Sequence, residues 1–136
     1  MTPTCMLDTD SVSFALKGRG NVGAHLKARR PSEVCISAIT LAELRYGADL
    51  HSSKKLHRLI DAFTSAVQVI PFDDAAAAAF GKVTAELAKA GTPIGDFDAL
   101  IAAHALSHRM VIVTNNTKHF SAVKGLRLDN WLEKAI

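Results

Sequence analysis

The chain has 136 residues, of which 49% are hydrophobic and 21% are charged, and its formal net charge is +3. This length predicts a single domain, residues 1–136, with a sizeable core. No apolar run approaches the roughly 20 residues that a membrane-spanning helix needs, and the N-terminus lacks the basic and apolar regions of a secretory signal. We therefore expect a cytoplasmic protein without a membrane segment.

Predicted strands and helices alternate along the chain. Short apolar or β-branched runs predict buried strands at residues 4–7, 34–37, 67–70 and 111–113, and a short fifth strand at 126–128. Apolar residues at helical spacing predict helices at 12–17, 21–30, 38–50, from Ser52 or Ser53 onward, at 73–90 and from Asp96 to about Arg109. This alternation predicts an α/β fold with a central parallel sheet of four to five strands and helices on both faces.

One loop-to-helix stretch, residues 93–103, carries two acids. Pro93 and Gly95 interrupt the preceding helix, Asp96 is predicted to be the N-cap of the next one, and Asp98 falls in its first turn. An acid at this place can be a cap or a partner of the helix dipole and nothing more. A function for Asp98 therefore depends on whether other acids reach the same place.

Three further polar residues are predicted to reach that place. Asp8 follows the first strand, Glu43 lies in the helix after the second, and Asn116 follows the fourth, which the Asp98 helix precedes. In a parallel sheet these positions share the carboxyl edge, where ligands bind. Three carboxylates in one small volume repel each other unless a cation lies among them. Oxygen ligands favour Mg²⁺ or Mn²⁺ over zinc, and such an ion suits phosphodiester hydrolysis.

Other candidate sites are weaker. Cys5 and Cys35 lie in predicted strands and are interpreted as buried free thiols. His104 and His108 share a helix face but have no third ligand at metal-site spacing, so no metal is assigned to them. The basic clusters are either solvated helix faces or a rim that contacts phosphates, and they comprise Lys17, Arg19, Lys27, Arg29 and Arg30, then Lys54, Lys55 and Arg58.

These motifs, in this order, resemble the VapC-type toxins, which are PIN-domain ribonucleases of bacterial type II toxin–antitoxin pairs. The resemblance covers essentially the whole chain. It is carried by residues 6–10 (MLDTD), 37–47 (SAITLAELRYG), 93–98 (PIGDFD), 100–103 (LIAA) and 113–120 (VTNNTKHF).

The resemblance implies roles for individual residues. It makes Asp8 and Asp98 the main metal ligands and Glu43 a further acid that holds the metal or positions water. Asn116 stands where many PIN domains carry a fourth acid, which weakens the case for a second tightly bound metal. Asp10 stands where Asn or Ser is commoner and partly restores the missing charge. The hydroxyls of two threonines would orient the carboxylates: Thr9 and Thr114.

The implied activity is Mg²⁺-dependent hydrolysis of RNA, with a tRNA as the substrate of such relatives. The implied partners are a VapB-type antitoxin, a second copy of the chain in a homodimer, larger toxin–antitoxin assemblies, and operator DNA reached only through the antitoxin.

Two alternatives remain open from the residues. Asp8-Thr9-Asp10-Ser11-Val12 also fits the nucleophile motif of haloacid-dehalogenase-type phosphatases, with Asp8 as nucleophile, but the lysine and acidic pair of that family have no clear counterpart near the C-terminus. The second alternative is a catalytically inactive PIN domain, because Asn116 lacks the acid charge.

Overall fold

Five short strands form one parallel sheet in the computed structural model, which describes residues 3–136. The sheet order is β3-β2-β1-β4-β5, so β1 lies at the centre, with Leu7 paired to Ile36 on one side and to Val113 on the other. The strands are β1 (Cys5–Leu7), β2 (Val34–Ser37), β3 (Gln68–Ile70), β4 (Val111–Val113) and β5 (Leu128–Asp129).

Seven α-helices and a short 3₁₀ helix, Pro31–Glu33, connect the described strands. The predicted helices are confirmed with shifts of a few residues at their ends. They are α1 (Thr9–Leu16), α2 (Val22–Lys27), α3 (Ala38–Leu50), α4 (Lys54–Ala66), α5 (Asp74–Lys89) and α6 (Asp96–Ser107). The one-turn helix α7 (Thr117–Phe120) was not predicted from the sequence.

The two faces of the sheet build two separate cores. Successive strand residues point to opposite faces, so Met6, Cys35 and Ile112 pack into the core beneath α5 and α6. Their neighbours Leu7 and Ile36, with Val113, pack into the core on the opposite face, under α1 to α4. The predicted three-layer α/β fold with helices on both faces is confirmed.

Two helix boundaries differ from the prediction for local reasons. Helix α1 begins at Thr9 rather than at Val12, because the Asp8 side chain caps it by accepting from the backbone N–H of Ser11. Helix α2 ends at Lys27, and Arg30 is extended because the next residue, Pro31, disfavours helical backbone before it.

The cysteine prediction is half correct. Both cysteines are free, and Cys35 is buried, which raises the pKa of its thiol to about 12. Cys5 is only partly buried, because it lies at the start of β1 where the sheet edge is less covered. Over residues 3–136, none of the helices is both long and apolar enough to cross a membrane.

Candidate active site

Asp8 lies at the carboxyl end of the central strand and is 3% exposed. Its backbone N–H donates to the carbonyl of Val113 at 2.9 Å, which ties the end of β1 to the end of β4. Its carboxylate accepts from the backbone N–H of Ser11 at 2.9 Å and is also hydrogen-bonded by the hydroxyl of Thr114. The carboxylate is therefore held in one orientation by the ends of two neighbouring strands.

The surroundings of Asp8 oppose its negative charge. Burial raises the pKa of this carboxyl from 3.8 to about 6, although the hydrogen bonds from Thr114 and Ser11 lower it, and the charge of Asp10 raises it further. A buried carboxylate without a cationic partner is costly. A cation beside Asp8 would remove that cost.

Glu43 is held by a hydroxyl from another helix. Thr9, the first residue of α1, donates from Oγ1 to Glu43 Oε1 of α3 at 2.6 Å, and the same hydroxyl lies 3.4 Å from Thr40 Oγ1. Burial raises the pKa of Glu43, the Thr9 hydrogen bond lowers it, and the charges of Asp98 and Asp10 raise it. Glu43 thus shares an electrostatic environment with acids from α1 and α6.

Asp98 lies in the first turn of α6, as predicted. Burial raises the pKa of its carboxyl, the charge of Asp10 raises it further, and the imidazole of His119 lowers it. Asp10 therefore acts on Asp8, Glu43 and Asp98 alike. Asp10 thus links the three other acids electrostatically, and Asp98 also raises the pKa of Glu43.

Asn116 contacts the site through Thr114 and not through an acid. Its backbone N–H donates to Thr114 Oγ1 at 2.9 Å, and its side-chain nitrogen lies 3.0 Å from Nδ1 of His119. His119 also lowers the pKa of Asp98, so it contacts Asn116 and interacts electrostatically with one of the acids. The sequence prediction missed His119, and the available signal was its position one helical turn after Asn116.

The N-cap prediction for Asp96 is wrong. Gly95 occupies the N-cap position of α6 with extended backbone, and no side chain caps this helix. Asp96 is the exposed first residue of the helix, where its charge faces the positive end of the helix dipole.

The donor set fits a hard divalent cation but is not preassembled around one. Every candidate ligand, Asp8, Glu43 and Asp98, offers carboxylate oxygens, which Mg²⁺ and Mn²⁺ prefer. Over the described part of the chain, no three His, Cys, Asp or Glu side chains are arranged to hold a metal ion together. The shared metal site therefore stays a prediction.

Two cavities meet at the hydrogen bond between Thr9 and Glu43. One, of about 390 Å³, is lined by these two residues and by Ala42, Tyr46 and Phe97. The other, of about 230 Å³, shares Thr9 and Glu43, and its wall includes Ser13, Leu16, Lys17, Leu44, Gly47, His51 and Leu56. Glu43 therefore lies beside open space at both cavities, whereas Asp8 is buried.

Some residues of the predicted basic rim have structural partners. The Arg29 guanidinium lies 4.2 Å from the centre of the Trp131 ring, and Arg19 lies 5.2 Å from that of Phe14. Lys17 lines the smaller cavity. Arg19 and Arg29 therefore pack against aromatic rings of this chain, and Lys17 lies beside Glu43.

The histidine pair of α6 contacts β2 and the start of α5 rather than the acids. His104 is fully buried, and its Nδ1 lies 2.7 Å from the hydroxyl of Ser37. His108 Nε2 lies 3.7 Å from a carboxylate oxygen of Asp73, at the start of α5. These contacts pack α6 against β2 and the N-terminus of α5.

Comparisons with known proteins agree with the fold. The family model of the PIN domain matches residues 5–126. The tRNA(fMet)-specific endonuclease VapC of Salmonella typhimurium is 39% identical over 130 residues, which is 93% of this chain and 96% of the relative. The endonuclease of the same name from Shigella flexneri is 42% identical over 130 residues, with the same two coverages.

A solved structure of a VapBC complex also matches this chain. The crystal structure of DNA-bound VapBC from Salmonella typhimurium aligns with a TM-score of 0.86 and 38% identity, over 96% of this chain and 99% of the other. These findings do not favour the phosphatase or the inactive domain. Ribonucleases of the PIN-domain family generally depend on a divalent metal ion. The chain belongs to the PIN-domain family and, within it, to the VapC-type toxin ribonucleases.

Proposed function

We propose that this chain, acting in the cytoplasm as a single PIN domain over residues 1–136, is a Mg²⁺-dependent endoribonuclease that cleaves tRNA. The observation that carries the proposal is the buried carboxylate of Asp8, fixed between the ends of β1 and β4 with a pKa raised to about 6. Strongly shifted carboxyl groups in such a position are typical of functional sites.

Asp8, Glu43 and Asp98 would hold the ion, with Mn²⁺ as a possible substitute for Mg²⁺. When bound, the ion would activate water and neutralise charge on the phosphate. Thr9 orients Glu43 through its 2.6 Å hydrogen bond, and Thr114 and Ser11 orient Asp8.

Two further residues adjust the charge of the site. Asp10 adds negative charge next to all three acids. Asn116 positions His119 beside Asp98. Hydrolysis with water as the nucleophile leaves 5′-phosphate and 3′-hydroxyl ends and needs no attack by a 2′-hydroxyl.

The names of the two relatives support a tRNA, and specifically the initiator tRNA, as the substrate. Basic side chains around the site would contact the RNA backbone, whose phosphates dominate affinity. Lys17 lies in the wall of the cavity beside Glu43, and Lys54, Lys55 and Arg58 are exposed on α4.

The solved relatives support the partners. Because one of them is a VapBC complex bound to DNA, we infer that a VapB-type antitoxin binds this chain and inserts a basic side chain among the acids. We also infer a homodimer that enters larger toxin–antitoxin assemblies, which contact operator DNA only through the antitoxin.

The test compares two neighbouring acids of α6. Purified wild-type protein, Asp98→Asn and the control Asp96→Asn are each incubated with total bacterial tRNA and Mg²⁺ or EDTA, and the new RNA ends are sequenced. We expect wild type and Asp96→Asn to cut initiator tRNA at one position with Mg²⁺ only, and Asp98→Asn to leave it intact. Intact tRNA with the wild type, or equal cleavage by Asp98→Asn, would contradict the proposal.

A further inference from the structure

Two aromatic side chains beside the acids are largely exposed. Tyr46 of α3 is 66% exposed and Phe97 of α6 is 55% exposed. Phe97 immediately precedes Asp98, and Tyr46 lies three residues after Glu43, on the same face of α3. Large aromatic rings bury much area when they are covered, so two exposed rings at one site indicate a ligand.

Both rings line one cavity, of about 390 Å³, whose other walls are Thr9, Ala42 and Glu43. This volume lies in the range of about 300–1,000 Å³ that proteins use for small ligands. Because Glu43 is part of the cavity wall, an RNA strand bound across the acids would also pass this cavity.

The lining favours a flat, uncharged, aromatic group. It holds two aromatic rings and no lysine, arginine or histidine, so it has no cation for a phosphate. A positive group lies instead on the far side of the Thr9–Glu43 hydrogen bond, where Lys17 lines the second cavity. A base in the first cavity and a backbone phosphate in the second match this division.

A helix of a protein partner fits the cavity less well. Recognition of an amphipathic helix needs a groove that accepts apolar anchors along several turns. Leu50, one turn beyond Tyr46 on α3, is 61% exposed but does not line the cavity. The apolar surface inside the cavity is thus confined to a short segment of each helix.

We propose that Tyr46 and Phe97 form a stacking site for one unpaired nucleobase next to the scissile phosphate. The inference rests on the proposed ribonuclease activity and adds the requirement that the target be single-stranded at this nucleotide. Stacking accepts any base, because every base has a π-face. The pair therefore positions the RNA and selects loops over helices, while other contacts read sequence.

The experiment uses initiator tRNA with 2-aminopurine at one anticodon-loop nucleotide at a time. Binding is measured in the Asp8→Asn background, where cleavage does not remove the signal. We expect quenching at one nucleotide, lost in Tyr46→Ala and Phe97→Ala and kept in Tyr46→Phe, Phe97→Tyr and the control Leu50→Ala. With an otherwise wild-type site, each alanine should lower kcat/KM about 5- to 150-fold, and the two conservative variants should stay near wild type.

A second arm checks that the base is the partner of the rings. With RNA that is abasic at the quenched nucleotide, wild type and Phe97→Ala should cleave at equal rates. If Phe97→Ala still lowers the rate on abasic RNA, the ring acts by another route and the inference fails.

The outcomes separate this inference from the proposed function. If wild type cleaves initiator tRNA, Asp98→Asn does not, and both alanine variants cleave at the wild-type rate without any quenching change, only the stacking site is overturned. Alanine variants that weaken binding of a VapB-type antitoxin but not RNA cleavage would assign the cavity to the protein partner, which also overturns it. Failure of the wild type to cleave RNA would overturn the proposed function itself.

Discussion

Asp8 and Asp73 make the same local contact and have opposite electrostatics. Each is the N-cap of a helix and accepts a hydrogen bond at 2.9 Å from the backbone N–H three residues later, that of Ser11 for Asp8 and that of Ala76 for Asp73. Yet the pKa of Asp8 is raised to about 6 by burial. The pKa of Asp73 is lowered by its backbone hydrogen bond from Ala76, together with the imidazole of His108.

The difference lies in what surrounds the cap. Asp73 is exposed and faces His108 and His104, so its charge stabilises the fold. Asp8 is buried among strand ends and faces the like charge of Asp10, so its charge opposes folding. The role of Asp73 as the N-cap of α5 is sufficient to explain an acid at this position. The unfavourable environment of Asp8 indicates a position kept for function, because it becomes favourable when a cation binds.

The largest expected effect is on activity. Asp8→Asn keeps the N-cap acceptor of α1 but removes the charge, so we expect cleavage of initiator tRNA to fall on the order of 1,000-fold, about 4 kcal/mol of transition-state stabilisation. The matched variant Asp73→Asn should cleave at the wild-type rate. Single-turnover cleavage with excess enzyme and Mg²⁺ measures both. Equal losses of cleavage rate in the two variants would contradict the conclusion that Asp8 has a catalytic role and Asp73 only a structural one.

The next effect is on stability without metal. The folded-state pKa of Asp8 lies above its usual 3.8, so the unfolded chain loses this proton first as pH rises. The free energy of unfolding therefore falls between about pH 4 and pH 6, and by pH 7 the charge costs about 3 kcal/mol. We expect Asp8→Asn to match wild type near pH 4 and to exceed it at pH 7 by up to this amount. Urea unfolding in EDTA across this range measures the difference.

Asp73→Asn should show the opposite sign in the same experiment. The folded-state pKa of Asp73 lies below its usual value, so its stabilisation is present above that value and is lost as pH falls through the lowered pKa. The variant should be slightly less stable than wild type at pH 7. The comparison fails if Asp8→Asn is less stable than wild type at pH 7 in EDTA.

The smaller expected effect on activity comes from a hydroxyl that orients an acid. Thr9→Val keeps the shape of the side chain but removes the hydrogen bond to Glu43, so we expect cleavage to fall about 10- to 100-fold. The loss should come with a shift of the acidic limb of the pH–rate profile to higher pH, because this hydrogen bond lowers the pKa of Glu43. Thr64→Val is the control, since that hydroxyl donates only within α4. A rate equal to wild type would show that Thr9 has no part in orienting Glu43.

The sequence predicted the elements that depend on local pattern. The strand at 111–113 and the helix at 38–50 were placed correctly, because β-branched runs and helical spacing are short-range signals. The cap of α6 was placed one residue late, since Gly95 and Asp96 can both end a loop and only the backbone distinguishes them. The spacing of His119 from Asn116 was a local signal, but its interaction with Asp98 depends on tertiary structure. The cavity between Tyr46 and Phe97 likewise joins segments far apart in the chain.

The sequence by itself determined that an acid follows the first strand and that others precede or follow later elements, because strand and helix order is encoded in hydrophobic period and breaking residues. The local cap contacts do not distinguish Asp8 from Asp73, because the hydrogen bonds are the same. Only the tertiary structure decided that Asp8 is buried between β1 and β4 beside Asp10 while Asp73 is exposed beside His108. A pKa depends on desolvation and on charges brought in by other segments, and these exist only once the chain is packed.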